Sequence, residues 1–230
     1  MASLTWLGHA SFRIESDRGK RIYVDPFLQG NPKTPADEQE PERVDVIAVT
    51  HGHGDHVGQT VALSKQFPDA EVVAQVELKG WLDAQGANVG DLPGINKGGS
   101  QEVDGIRFTL THAYHSSSAD DGTYTGESCG LVIKLEDGKT VYFAGDTNVF
   151  GDMQLIARIY KPDVAVLPIG DWFTMGPEEA AVALELLGNP RCVPSHWGTF
   201  PLLTGTPEKL RELAPSADVV DVEPGGTIEL

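Results

Sequence analysis

His51, His53, Asp55 and His56 form an H-x-H-x-D-H cluster, four metal-ligand side chains within six residues. The cluster follows the run Val44-Asp45-Val46-Ile47-Ala48-Val49-Thr50, whose β-branched residues predict a buried strand. It precedes a segment from Val57 to Phe67 with helix-compatible spacing. Strand, ligand loop and helix in that order restrict the chain to an α/β arrangement with its chemistry at a strand end. A lone aspartate before a helix is usually an N-cap, and a lone histidine is usually a satisfied surface or core residue. Neither explanation accounts for three histidines and an aspartate at this density.

In an extended segment alternate side chains point the same way, so His51, His53 and Asp55 are expected to converge while the chain turns at His56. Gly52 and Gly54 would leave the backbone free to fold around ions. Neutral imidazole suits zinc, iron, manganese or nickel, and a carboxylate adds compensating charge. Two metals can share this loop, the first on His51 and His53, the second on Asp55 and His56, with further ligands from later strands.

A chain of 230 residues is long enough for a substantial core. It is read as a single domain spanning residues 1–230. Cys129 and Cys192 are far apart and suggest neither a disulfide framework nor a zinc knuckle; Cys192, in an apolar run, reads as a small buried hydrophobe. The N-terminal residues carry no basic region, and no apolar stretch reaches membrane length, so a soluble cytoplasmic protein is expected, without membrane contact. A net charge of −17 argues against nucleic acid as a partner. A small-molecule substrate is expected instead, and a homo-oligomer is compatible with the sequence.

Strands are expected at Ser3–Leu7, Ser11–Ile14 and Arg21–Val24, followed by a Pro-rich loop from Phe27 to Arg43 of the length typical of lids or rims. Beyond the ligand cluster the pattern predicts a strand at Glu71–Ala74 and a helix at Val76–Gln85. Strands follow at Gln101–Val103, Ile106–Thr111, Cys129–Leu135 and Thr140–Phe143, with Asp104-Gly105 and Asp137-Gly138 as hairpin turns. Helices at Gly151–Tyr160, Pro177–Leu187 and Pro207–Ala214 alternate with strands at Val164–Leu167, Arg191–Pro194, Val219–Val222 and Thr227–Leu230. Strands and helices thus recur twice without a linker, which predicts two related halves packed together.

Three later strands also end in ligand residues: Phe108 to Thr111 leads to His112 and His115, Val141-Tyr142-Phe143-Ala144-Gly145 to Asp146, and Arg191-Cys192-Val193-Pro194-Ser195 to His196. Taken with the first cluster, this order resembles the metallo-β-lactamase superfamily. The segments Leu7-Gly8-His9-Ala10-Ser11-Phe12, Ala144-Gly145-Asp146-Thr147, Leu167-Pro168-Ile169-Gly170-Asp171, Phe173-Thr174-Met175-Gly176-Pro177 and His196-Trp197-Gly198-Thr199-Phe200-Pro201 resemble its poorly characterised bacterial branch of metal-dependent hydrolases. That branch is similar to ascorbate-6-phosphate lactonases and N-acylphosphatidylethanolamine phospholipase D. The resemblance runs from near Leu4 to near Pro201. It implies an α/β fold, a four-layer αβ/βα sandwich of two mixed sheets, with a binuclear site at one edge. It implies one metal on His51, His53 and His115, the other on Asp55, His56 and His196, and Asp146 bridging. His115, followed by Ser116-Ser117, matches the family's third-ligand position better than His112.

The expected cofactors are two divalent metal ions, zinc first, with manganese, iron or nickel also suited to the ligands. A hydroxide bridging them would attack a small ester-type substrate, a phosphodiester or a lactone. Asp55 and His9 are the expected catalytic residues. Asp55 would relay the proton, and His9 would line the site as a donor or a substrate contact, with a structural hydrogen bond as the competing reading. Asp171 either orients a ligand imidazole or starts the loop to Trp172. The stretch Ser116 to Gly126 is a candidate substrate loop, and Trp172, Phe173, Trp197 and Phe200 are candidate walls of an apolar pocket. The competing functions are a non-catalytic metal-binding module and a β-lactamase-type amide hydrolase.

Overall fold

Alternating side chains along short strands send one set of apolar residues inward and the other outward, and this alternation builds the layers. The computed structural model describes all 230 residues. One sheet contains β1 (Ser3–Trp6), β2 (Phe12–Glu15), β3 (Arg21–Val24), β4 (Val46–Ala48) and β5 (Glu71–Val73), with β12 (Thr227–Glu229) added at its edge. The other contains β6 (Ser100–Val103), β7 (Ile106–His112), β8 (Cys129–Lys134), β9 (Thr140–Phe143), β10 (Val164–Pro168) and β11 (Arg191–Ser195). Ile22, Val24, Val46 and Ala48 of the first sheet share a core with Leu131, Ile133, Val141 and Val166 of the second.

The alternate residues face outward under helices. Tyr23, Ile47 and Val72 pack with Leu63 of α2 (Thr60–Gln66) and with Leu78 and Leu82 of α3 (Val76–Ala84). Val132, Tyr142 and Ala165 pack with Ile156 of α4 (Met153–Tyr160), Ala183 of α5 (Pro177–Leu186) and Leu210 of α6 (Pro207–Leu213). The result is the αβ/βα sandwich. Cys129 and Cys192 are both buried free thiols. No helix is long and apolar enough to cross a membrane.

The two sheets have the same internal plan. In the order β12-β1-β2-β3-β4-β5 the first three pairings are antiparallel and the last two parallel. The order β6-β7-β8-β9-β10-β11 repeats that sequence of pairings. Thus β3 corresponds to β9. The chain must return at its C-terminus to supply β12, so each half of the sequence is not quite a sheet of its own.

Two elements depart from the sequence expectation. The helix expected from Val57 is two pieces, α1 (Gly54–Val57) and α2, broken at Gly58 with φ +45°. A side chain at Gly58 would put Cβ 2.3 Å from the Pro26 carbonyl oxygen, and Gln59 N donates to that same oxygen at 2.9 Å. The break therefore lets the ligand segment pack against the end of β3. The segment Val219–Val222 forms only a single bridge, Val219 beside Cys192, rather than a strand. The loop Phe27–Arg43 contains a 3-10 turn at Ala36–Glu38 and packs down as a rim: Thr34 Oγ1 donates to the Leu7 carbonyl and Asn31 Nδ2 to that of Gly8.

Candidate metal centre

Every ligand residue singled out in the sequence follows the C-terminal end of a strand: the His51–His56 cluster after β4, His115 after β7, Asp146 after β9 and His196 after β11. Their side chains converge. Ligand atoms of His51, His53 and His115 lie within 4.8 Å of one another, and so do those of His9, Asp55, His56 and His196. Asp146 stands between the groups, with Oδ2 at 3.5 Å from His115 Nε2 and 3.2 Å from His196 Nε2, and Oδ1 at 3.3 Å from His56 Nε2. His112 lies apart from all of them, its Nδ1 at 3.3 Å from Lys97 Nζ.

The local backbone differs from the extended run expected. His53 is extended, but Asp55 and His56 lie on the helical turn α1. Gly52 owes its identity to a close approach rather than to flexibility around an ion. A Cβ there would fall 1.9 Å from Thr125 Oγ1, and its φ is not in the left-handed region.

Hydrogen bonds behind the imidazoles fix which nitrogen faces the centre. Asp25 is buried, and its carboxylate accepts from Thr50 N at 2.8 Å, Thr50 Oγ1 at 2.7 Å and His56 Nδ1 at 2.8 Å. A carboxylate only accepts, so the Thr50 hydroxyl proton is committed to Asp25. Thr50 Oγ1, at 3.0 Å from His51 Nδ1, must then accept from His51. Both His51 and His56 are therefore protonated at Nδ1 through one anchor, and their Nε2 atoms are turned toward the centre. The pattern of ligand types does not single out Asp25. The only trace of it in the sequence is a lone aspartate directly after an apolar strand, β3, a weaker mark than Asp146, which comes three residues past β9 among other ligand residues.

His9 is fully buried and does not line the cleft. Its Nε2 faces Asp55 Oδ2 at 2.9 Å and its Nδ1 faces Thr199 Oγ1 at 3.0 Å. Donation to the carboxylate puts the proton on Nε2 and leaves Nδ1 to accept from the threonine hydroxyl. It holds Asp55 from behind, on the side away from the cleft. His9, Asp25 and His196 have φ of +56°, +47° and +54°, a conformation non-glycine residues rarely adopt and one that gathers at functional sites.

Burial pulls the His51, His53 and His115 imidazoles below the ordinary histidine value, which leaves them neutral with a lone pair to offer. Burial also acts against the charge on His56 and His196, but Asp146, joined by Asp25 at His56, overrides it. His56 is held well above the usual value and His196 is raised to about 9. Burial pushes Asp55 and Asp146 up, and their histidine neighbours outweigh it, so both carboxyls are held below the usual range.

These residues fit divalent metal. His56 Nε2 and Asp146 Oδ1 are buried without a hydrogen-bond partner, although they face each other. An ion coordinated by both atoms satisfies them together. The set of imidazole and carboxylate donors is that of zinc and its neighbours in the first transition row.

Above the ligands opens a cleft of about 500 Å³, lined at its base by His53, Asp55, His115, Asp146 and His196. Of the Ser116–Gly126 stretch only Ser116 lines it, with Oγ at 3.3 Å from His53 Nε2. Ser117 and Thr125 instead buttress the ligand loop, Gly52 N donating to Ser117 Oγ. Phe173 and Phe200 form walls, joined by Leu202. Trp197 belongs to the core, stacked on Trp6 at 5.4 Å, and Asp171 is exposed and starts the loop, its Oδ1 accepting from Trp172 N.

A family model described as the beta-lactamase superfamily domain matches residues 20–197, and with the αβ/βα sandwich it makes this chain a member of that superfamily. A relative from Herpetosiphon aurantiacus named "UPF0173 metal-dependent hydrolase" is 47% identical over 231 residues, spanning 97% of this chain and 95% of the relative. The metallo hydrolase Igni18 from Ignicoccus hospitalis superposes with a TM-score of 0.87 at 34% identity, covering 99% of this chain and 97% of that one. An isothiocyanate hydrolase from Delia radicum gut bacteria superposes with a TM-score of 0.73 at 26% identity, covering 99% and 98%. The chain is thus a metal-dependent hydrolase, which sets aside the non-catalytic module.

Proposed function

We propose that the protein is a binuclear metal hydrolase that adds water to a small ester-type substrate, a phosphodiester or a lactone. The observation that carries this reading is Asp146, whose carboxylate faces His115, His56 and His196 at 3.2 to 3.5 Å between two groups of ligands. One ion would be held by His51, His53 and His115, the other by Asp55, His56 and His196, with Asp146 shared. Zinc suits this set first, and manganese, iron or nickel also suit it. Two such ions bring the pKa of a shared water to near neutrality and stabilise negative charge on the attacked group.

The chain's own residues supply the rest. Asp55, one-third exposed at the cleft and tethered by His9, is the carboxylate that accepts the proton given up by water. Asp146 is nearly closed off and keeps to its three imidazoles. Thr50 and Asp25 place the His51 and His56 ring protons on Nδ1, which leaves each Nε2 as the atom that would meet a metal ion. The Ser116 hydroxyl meets substrate at the base of the cleft.

Metal analysis of protein purified in supplemented medium should return two ions per chain; a value near zero overturns the reading. A panel of bis-aryl phosphates, lactones, thioesters and cephalosporins, with an isothiocyanate added for the likeness to that hydrolase, tests the chemistry. Run beside Asp146→Asn, equal turnover by both proteins would remove Asp146 from the mechanism.

A further inference from the structure

The base and the walls of the cleft differ in chemistry. The base is imidazole and carboxylate; the walls are Phe173, Phe200 and Leu202, exposed by 51%, 37% and 45%. No lysine or arginine lines the cleft. A phosphate or carboxylate on the far part of a substrate would therefore meet two apolar loops and no counter-charge, in a chain of net charge −17. Exposed aromatic side chains grouped around a reactive base mark a binding surface, since single scattered ones are all that solubility ordinarily leaves.

The wall is also built. Asp171 and Trp172 take consecutive left-handed conformations, φ +66° and +60°, without glycine. The loop is clamped below them: Asp171 N donates to the Met175 carbonyl at 3.2 Å, and Met175, fully buried, donates to the Thr147 carbonyl at 3.0 Å. Strained backbone fixed by a buried anchor persists where the surroundings hold it for a purpose. Here it presents Phe173 to the cleft and Trp172 beside it, their rings 6.5 Å apart. Phe200 comes from the other loop and packs edge-on against the His9 ring at 5.3 Å, tied to the base of the site.

We infer that the site takes uncharged carboxylic esters or lactones that carry an apolar arm, in preference to phosphodiesters and phosphorylated sugars. The inference rests on the hydrolase reading above. The acyl carbon lies at the metal ligands, and the arm lies along Phe173, Phe200 and Leu202 toward Trp172. Water oxygen bonds to the acyl carbon, the carbon–oxygen ester bond breaks, and the leaving oxygen takes a proton. An acid and an alcohol, or a hydroxy acid from a lactone, result with no change of oxidation state.

The test uses the metal-loaded enzyme with p-nitrophenyl acetate, butyrate and octanoate, γ-butyrolactone, δ-decalactone and bis(p-nitrophenyl) phosphate. The expected result is a kcat/KM rising about two- to fourfold per methylene, the gain from moving that group out of water. Phe173→Ser and Phe200→Ser should each reduce the octanoate-to-acetate ratio, and Leu155→Ser, on the exposed face of α4 away from the cleft, should keep it. Independently of turnover, 2-decanone should shift the tryptophan emission of the wild type to the blue, and Trp172→Phe should remove that shift. Turnover of the short ester with no dependence on chain length, or a preference for the phosphodiester, overturns the inference alone. Turnover of none of these compounds overturns the ester hydrolase reading beneath it as well.

Discussion

Asp25 and Asp146 follow corresponding strands, β3 and β9, of two sheets built on the same plan, and both carboxylates touch His56. Asp25 is saturated: the backbone and hydroxyl of Thr50 and the ring of His56 donate to it. Asp146 is left with one oxygen, Oδ1, that no protein donor reaches by hydrogen-bond geometry although it faces His56 Nε2, while its Oδ2 faces the His115 and His196 imidazoles. One half of the fold therefore uses its aspartate to orient ligands and the other offers its aspartate as a ligand. What separates the two is the neighbour each meets. Thr50, two residues past β4, the strand beside β3, supplies two donors to Asp25, and nothing equivalent reaches Asp146 Oδ1.

Substitutions at the two positions should separate the roles. Asp146→Asn should have the largest effect on chemistry, lowering kcat/KM about a hundred- to thousandfold, as removing a charge from a preorganised site does. Its metal content, read by elemental analysis, should fall below two ions per chain. Asp25→Asn should instead act on affinity and on the fold. Metal affinity should weaken about ten- to hundredfold, the usual cost of losing a ligand's orienting partner. Urea unfolding of the metal-free protein should show a loss of about 2–3 kcal/mol for a buried, charge-assisted network. If both variants lose activity equally while metal affinity and stability stay at wild-type levels, the division of labour is wrong.

The next two tests refine the comparison. His9→Ala frees Asp55 on one side and should lower kcat about tenfold. His9→Gln, whose amide can still donate to the carboxylate, should recover part of that loss, which a purely packing role would not predict. Thr50→Val should be the mildest change. It deletes one donor to Asp25 and the acceptor for His51, and should cost about 1 kcal/mol of stability with a few-fold weaker metal binding.

The H-x-H-x-D-H cluster, the strand that feeds it and the later His115, Asp146 and His196 were legible because ligand residues at strand ends repeat a pattern that one-dimensional reading can see. Helix and strand positions were legible for the same reason, since two-sided burial leaves continuous apolar runs such as Val164–Pro168. Asp25 was not legible: one aspartate before Pro26 resembles any turn residue until β3 lies beside β4. The break at Gly58 was equally hidden, because it answers to the Pro26 carbonyl rather than to any local preference. Of the two readings the sequence leaves for His9, a contact in the cleft or a structural hydrogen bond, its burial behind Asp55 fits the second.

The sequence by itself determined which groups could bind metal, the strand ends that carry them and the two-layered apolar alternation around them. Those features follow from residue type and short-range periodicity. The tertiary structure alone decided which carboxylate is saturated and which is open, which nitrogen of each histidine faces the centre, and which aromatic residues wall the cleft. These depend on distances between segments far apart in the chain, such as Asp25 to His56 and His9 to Thr199. Hydrogen-bond commitment is settled only when those segments meet.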